Sequence, residues 1–451
     1  MSWADDSSRR GLRYDRYMDH DDAEMATTQT ESASAGPRIA LFGLGTVGMS
    51  VAERLLDADW RDGLSARGHR PPSLVGIADL DLERERDLDI PEEVRQTTDL
   101  HELVAAEDID IVIELMGGTG AAGDAVLAAL AAGKHVVTAN KDMLARRGKE
   151  LEAAARASGA ALRYEAAVMS GVPVLGPLVQ ELGANRVTRL RGIFNGTTNY
   201  ILSTMAADAR DYGDVLDEAQ ARGYAEADPS SDVEGLDAAY KLTLLARLAF
   251  GGWPDVDELR RSIPSFLGEA TDGITGVSRV HMSAAARLGL AIKLISRAEL
   301  TDEGQLRAAS TPMAVSSTSA LGSTAGVINV VDVDAEPVGR VTLSGPGAGG
   351  PATSSAILAD VLALEHGSVS TWGQLPPASE MPVEDDLGIE RGWFVAIDGL
   401  GAEGFPDAIK ELALATTDEG FVTRPVSLMA MSSRLGLMDR SIYAYPILTD
   451  A

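Results

Sequence analysis

Arg38-Ile-Ala-Leu-Phe42 is a short apolar run, and Gly43-Leu-Gly45-Thr-Val-Gly48 follows it without a gap. Val51, Ala52, Leu55 and Leu56 then recur at helical spacing. No other stretch constrains the fold as much as this strand, glycine turn and helix. GxGxxG alone is a weak signal; between a strand and a helix it reads as the dinucleotide-binding turn of a parallel sheet. Gly43, Gly45 and Gly48 would let the backbone approach a pyrophosphate, and Thr46 and Val47 open the helix whose N–H groups would meet it. A tight turn with no ligand is the plainer reading. A second strand, Ser73–Ala78, ends at Asp79, 31 residues beyond Gly48, where about 20 is usual. The Gly/Arg/Pro-rich segment 61–72 reads as an extended loop that accounts for the excess. An acid at this place favours the ribose hydroxyls of NAD, and Arg84 and Arg86 keep NADP open.

The βα pattern continues with a helix near 99–106, a buried strand Ile109–Leu115, a turn at Gly117-Gly118 and an Ala-rich helix 122–132. His135–Thr138 is the next strand and ends in Ala139-Asn140-Lys141, with a helix over 149–158. Lys141 as a surface residue at a helix start would put a positive charge where the dipole disfavours one. Residues 161–174 read as a buried strand carrying Glu165 into a Ser-Gly turn. Val187–Ile193 is a strand. Phe194-Asn195-Gly-Thr197-Thr198-Asn199-Tyr200 turns into a helix, a run that suits a small polar substrate or a nicotinamide amide, with Asn195 and Thr197 as ligands. A short helix follows at 214–222.

Residues 223–242 hold the densest chemistry. From Gly223 to Gly235 the chain is acidic and broken by Pro229; from Leu236 it is a helix pattern that extends over 237–250. Asp237 and Lys241 are four apart and share a helix face. An exposed ion pair is the bland reading. Against it, the neighbours Leu242, Leu244 and Leu245 are apolar, and of 39 lysines and arginines only six are lysine. Lysine changes protonation state when partly buried and arginine does not, so the pair points to proton transfer.

Beyond Trp253-Pro254 a helix is expected over 280–297, with Lys293 in it. Strands follow at Leu306–Ser310, Val327–Asp332 and Gly339–Ser344. A second glycine-rich turn, Gly345–Gly350, opens a helix at 353–364. Residues 366–390 read as a Pro/acid-rich linker. The rest gives a strand (Trp393–Ile397), a helix (406–416), strands at 420–432 and a last strand (Ser441–Leu448).

At 451 residues the chain has room for two or three domains. No run of 18 apolar residues and no charged start before an apolar core is present, which points away from membrane and secretion and towards the cytoplasm. A net charge of −29 opposes binding to nucleic acid or anionic membranes. It fits either a salty cytoplasm or a GC-rich genome. The absence of cysteine excludes disulfides, thiolate metal sites and aldehyde dehydrogenases that work through a thioester. The six histidines (20, 69, 101, 135, 281 and 366) lack ligand spacing, which argues against zinc. Residues 1–36 read as a disordered tail.

Residues 223–242 resemble the signature of homoserine dehydrogenases. Gly43–Gly48, Ala139-Asn140-Lys141, Phe194–Leu202 and Gly345–Gly350 match that family in order, over roughly 38–365. The resemblance implies the monofunctional form. Its reaction would be reversible oxidation of L-homoserine to L-aspartate 4-semialdehyde with NADP or NAD, in threonine, methionine and isoleucine biosynthesis. It implies an α/β fold: a Rossmann domain over 37–165 completed by the helix of 345–365, and an α+β catalytic and dimerisation domain over 166–344 with a mixed sheet. Residues 391–451 would be a small ACT-like domain or a dimerisation module. The usual acidic-Pro-Gly turn of an ACT domain is missing, which puts effector binding in doubt.

Residue by residue, Lys241 would be the general acid/base. Burial and Lys141 would lower its pKa, and Asp237 would raise it. Glu226 and Asp237 would hold the substrate's ammonium, with Lys141 at the nicotinamide. Gly117, Gly223 and Gly349 would lie against the cofactor. Glu165, with Val168, Ser170 and Val172, would hold a structural monovalent cation (Na+ or K+). A homodimer or homotetramer is the expected assembly. Two other readings stand beside this one: a related dehydrogenase of another small amino-acid aldehyde, and a non-catalytic NAD(P)-binding sensor.

Overall fold

The computed structural model describes residues 35–266, 270–399, 410–435 and 441–449. The expected N-terminal tail lies almost wholly outside the described residues. The first region is built from β1 (Arg38–Phe42), α1 (Thr46–Leu56), α2 (Ala58–Ala66), β2 (Ser73–Ala78), β3 (Arg95–Thr97) and α3 (Leu100–Ala105). β4 (Ile111–Glu114), α4 (Ala121–Ala131), β5 (His135–Thr138), α5 (Lys141–Ser158) and β6 (Leu162–Arg163) follow. The sheet order is β3-β2-β1-β4-β5-β6 with all pairs parallel. The chain order reverses between β1 and β4, and ligands of such sheets bind at that reversal, beyond the strands' carboxyl ends. Ile39, Leu41, Ile111 and Ile113 are buried because helices cover both faces.

Three expectations change here. Much of segment 61–72 is helical, because the Asp57 carboxylate caps α2 from the N–H groups of Asp59 (3.0 Å) and Trp60 (3.2 Å). The helix expected from 149 begins at Lys141, capped by Asn140 through Met143 N–H at 3.2 Å. Glu165 opens a short 3₁₀ turn instead of riding a strand, and its carboxylate is drawn to backbone N–H groups ahead of it.

The second region runs through α6 (Leu175–Val179), β7 (Arg186–Ile193), α7 (Gly196–Asp208), α8 (Tyr212–Ala221), α9 (Ser230–Val233) and α10 (Leu236–Phe250). Short strands β8 (Gly252–Trp253), β9 (Ser262–Ile263), β10 (Ser265–Phe266) and β11 (Thr271–Asp272) lead to α11 (Arg279–Arg287). Then come β12 (Leu290–Leu300), β13 (Leu306–Ser316), α12 (Ala320–Ser323), β14 (Ile328–Glu336) and β15 (Gly339–Pro346). Five strands form an antiparallel sheet in the order β13-β12-β7-β14-β15. The helix expected over 280–297 is therefore a helix and a strand, and Lys293 rides β12. Gly289 (φ +73°) ends the helix. The following run is buried on both faces, so its periodicity does not tell helix from strand.

α13 (Gly350–Glu365) returns to the first sheet: Ile357, Val361 and Leu364 share one core with Ile39, Leu41, Val51 and Leu55. Segment 366–390 is not a bare linker, since β16 (Ser379–Glu380) pairs with β8. The last region holds β17 (Trp393–Ile397), β18 (Ala413–Thr416), β19 (Gly420–Thr423), a helix at Leu428–Leu435 and β20 (Ile442–Pro446). The end of the helix expected at 406–416 is strand β18; residues 400–409 lie outside the described residues. The end of the strands expected at 420–432 is helix, whose Met431 and Leu435 fill the core beneath the sheet. The antiparallel order β20-β17-β19-β18 is that of a ferredoxin-like β-α-β-β-α-β unit, extended by β10.

Candidate active site

Two helices start at the same place. At the beginning of α5 and α10, Lys141 Nζ meets Asp237 Oδ1 at 3.0 Å. Farther along, Arg247 donates to both oxygens of Glu152 at 2.7 and 2.9 Å. Trp253 Nε1 donates to Glu152 at 3.0 Å. The helices are therefore parallel, and the second contact lies about 15 Å from the first at 1.5 Å rise per residue. Their N-terminal ends converge, which favours an anionic ligand between them.

Asp237 is the hub. Its Oδ2 accepts from Lys241 Nζ at 2.7 Å and Asn195 Nδ2 at 2.8 Å. Lys241 also donates to the Phe194 carbonyl at 2.8 Å, which Asn329 Nδ2 shares at 3.0 Å. Burial works against an ionised Asp237, but Lys141, Lys241 and Asn195 outweigh it and hold the carboxyl well below the usual range. The Asp237 charge in turn raises the Lys141 pKa against the effect of burial. Asn195 caps α7: its Oδ1 accepts from Thr198 N–H at 2.8 Å, leaving Nδ2 for the acids. Asp232, hidden among the acids of the loop, accepts from Asn195 Nδ2 at 2.6 Å. Burial, then repulsion from Asp237, raise the Asp232 pKa.

Lys141, Asn195, Asp237 and Lys241 thus come together. Thr197 lies beside them but spends its hydroxyl on the Tyr224 carbonyl at 2.6 Å, fixing the loop that carries Gly223. Glu226 stands exposed on that loop, its carbonyl accepting from Gln220 at 3.0 Å.

The nucleotide turn has the shape its glycines require. Gly43 adopts φ +93°, and a Cβ on Gly48 would sit 2.1 Å from the Gly43 carbonyl oxygen. Gly45 faces open space, as do Gly117, Gly223 and Gly349. Gly45 offers no side chain to cap α1, so the N–H groups around Thr46 and Val47 are left for a ligand. Asp79 accepts from Leu44 N–H at 2.6 Å and pairs with Arg86 at 3.1 Å. Glu114, fully buried, had no sequence signal beyond its place at a strand end. It accepts from Thr138 at 2.6 Å and from Met116 N–H at 2.8 Å, shaping the turn at Gly117. Burial raises its pKa.

At the cation candidate, Glu165 accepts from Val174, Leu175 and Gly176 N–H groups at 2.7, 2.9 and 2.8 Å. It therefore acts as the cap of α6. Among the described residues no hydrogen bond ends on the backbone carbonyls of Val168, Ser170 or Val172. The Ser170 hydroxyl donates to the Ala166 carbonyl at 3.0 Å. Backbone carbonyls and a carboxylate are hard oxygen atoms of the kind a monovalent cation takes.

Two family models match: "Homoserine dehydrogenase, NAD binding domain" over residues 43–165 and "Homoserine dehydrogenase" over 173–362. The homoserine dehydrogenase of Synechocystis is 43% identical over 353 residues, covering 78% of this chain and 76% of that one. The chain belongs to the homoserine dehydrogenase family. The enzyme of that name from Mycobacterium tuberculosis is 41% identical over 377 residues, 82% of each chain. A solved homoserine dehydrogenase from Thiobacillus denitrificans superposes with a TM-score of 0.80 at 29% identity, covering 92% of this chain and 98% of that one. The resemblance read from the motifs is thereby established, and the family is one of NAD(P)-dependent oxidoreductases. The parallel sheet, the mixed-element catalytic region and the C-terminal antiparallel sheet accord with the expected α/β class. Among the described residues no helix is long and apolar enough to cross a membrane.

Proposed function

We propose that the chain interconverts L-homoserine and L-aspartate 4-semialdehyde, and that Lys241 moves the proton. The observation that carries this is Asp237 clamped between Lys141 and Lys241 where two parallel helices begin. Bound NAD(P) supplies the hydride acceptor at its nicotinamide C4. In oxidation, neutral Lys241 takes the hydroxyl proton of homoserine while the hydrogen on the same carbon leaves as hydride. In reduction, the Lys241 ammonium polarises the carbonyl and returns the proton. Asp237, with Glu226 and Asp232, offers negative charge to the substrate's ammonium. Lys141 and Asn195 orient the reacting end, and Thr197 holds the loop of Gly223 beside it.

The turn Gly43–Gly48, with Asp79, Gly117, Gly223 and Gly349, would cradle the nucleotide. Residues 37–165 with α13 would form the nucleotide-binding domain and 166–344 the catalytic one, with 391–451 an ACT-like unit supported by its strand order. Glu165 and the carbonyls of Val168, Ser170 and Val172 would hold Na+ or K+. A cytoplasmic homodimer or homotetramer is the proposed assembly, and the outer edge of β15, unpaired among the described residues, offers one surface for it.

The test is the initial rate with L-homoserine, using NAD and NADP separately, with and without potassium and threonine. Asp79 suits ribose hydroxyls and Arg86, 3.1 Å away, suits a phosphate, which is why both nucleotides are needed. Turnover with at least one is expected. A folded protein that binds nucleotide but turns over with neither would favour the sensor reading.

A further inference from the structure

His69 follows α2, while Glu365 and His366 end α13. Although 297 residues separate the two histidines, His366 Nε2 lies 2.9 Å from His69 Nδ1. Glu365 Oε2 is 3.3 Å from His366 Nε2 and 3.8 Å from His69 Nδ1. The donors of a tetrahedral zinc site, each 2.0–2.1 Å from the ion, would be roughly 3.3–3.4 Å apart. The three observed separations bracket that edge, and the three atoms form one face of such a tetrahedron.

The Glu365 carboxylate divides its oxygens. Oε1 accepts from Arg70 Nε at 2.7 Å. Oε2 is buried without a hydrogen-bond partner, and the side chain is only 5% exposed. The two imidazole nitrogens hydrogen-bond each other, while the buried Oε2 beside them has no hydrogen-bond partner, and a cation would engage all three atoms. His366 is 55% exposed at its side chain, so a fourth position is open to water. Two imidazoles and a carboxylate are a donor set for zinc and the neighbouring divalent transition metals.

We propose that His69, Glu365 and His366 bind one divalent transition-metal ion of the zinc class. The ion ties the C-terminal end of α13 to the loop before β2. The other end of α13 lies against α1, where a Cβ on Gly350 would come within 2.5 Å of Ser50 Oγ. The site thus anchors the helix that packs beside the nucleotide turn, away from Lys241. Arg70 stays with Oε1 and limits the affinity by its charge.

The experiment uses the untagged full chain, stripped with a chelator and titrated with zinc chloride by calorimetry. Cobalt absorption provides a second, geometry-sensitive readout. One equivalent of zinc and a tetrahedral cobalt spectrum are expected. His69→Gln with His366→Gln should weaken zinc at least about tenfold and abolish that spectrum, and Glu365→Gln should weaken zinc as well. Nucleotide binding by the variants verifies that they fold. Absence of saturable zinc binding, or one equivalent bound unchanged by the double variant, would overturn the assignment.

Discussion

Lys241 and Lys293 are buried to nearly the same degree, at 7% and 4% exposed, yet differ in one charge. Lys241 donates to Asp237 and to the Phe194 carbonyl. Among the described residues Lys293 donates only to neutral acceptors, Asn199 Oδ1 at 3.0 Å and the Thr324 carbonyl at 2.6 Å. Burial without a counter-charge pulls the Lys293 pKa down to about 8. By its shift alone Lys293 would pass for a proton carrier near neutral pH. By position it is not: it lines a cavity with Leu202, Ala206 and Met282 whose lining holds no carboxylate. A shifted pKa reports an environment, and the chemistry depends on what else faces the group.

The sharpest way to break this comparison is to remove each ammonium in turn. Lys241→Ala should lower kcat by about 10²–10⁴ with nucleotide affinity nearly intact. Lys293→Met, which keeps the volume, should leave kcat of wild-type order. Equal losses in steady-state assays would erase the distinction.

The second effect is on stability. The folded state favours neutral Lys293, so between about pH 8 and the ordinary 10.5 the unfolded chain binds the extra proton. The cost is fully present below pH 8 and is relieved as the pH rises to 10.5. It amounts to about 3 kcal/mol. Urea unfolding across that window should show the rise in the native chain and lose it in Lys293→Met. Lys241→Ala should retain it.

The smallest effect separates the two sites by their supports. A Cβ on Gly148 would meet the Trp253 ring at 2.6 Å, so Gly148→Ala should push α5 from its seat. A cost of about 1–3 kcal/mol is expected, with Lys141 displaced from Asp237 and kcat reduced. The pH signature of Lys293 should survive, since its partners lie on α7 and the segment after α12. Calorimetric melting and kcat, measured on the same variant, check both halves.

Much of the site was legible because its signals are local. The strand and glycine turn at 38–48, the turn of Asn195 into its helix and the i,i+4 pair of Asp237 and Lys241 each lie within one turn or one helix. Reading Lys293 as helical failed where burial on both faces of β12 removed the period that distinguishes a strand. Asp232 was indistinguishable from the other acids of its loop. His69 and His366, read as scattered, are neighbours only because α13 returns to the first sheet.

By itself the sequence determined the class of fold, the family and the helix face that carries Asp237 and Lys241, because short-range spacing is set by backbone geometry. Only the tertiary structure decided that Lys141 completes that pair across 96 residues, since two parallel helices locked at Glu152 and Arg247 must first be brought side by side. It likewise decided which buried lysine meets a carboxylate. Charge partners at long range follow from packing, and packing is a property of the whole fold.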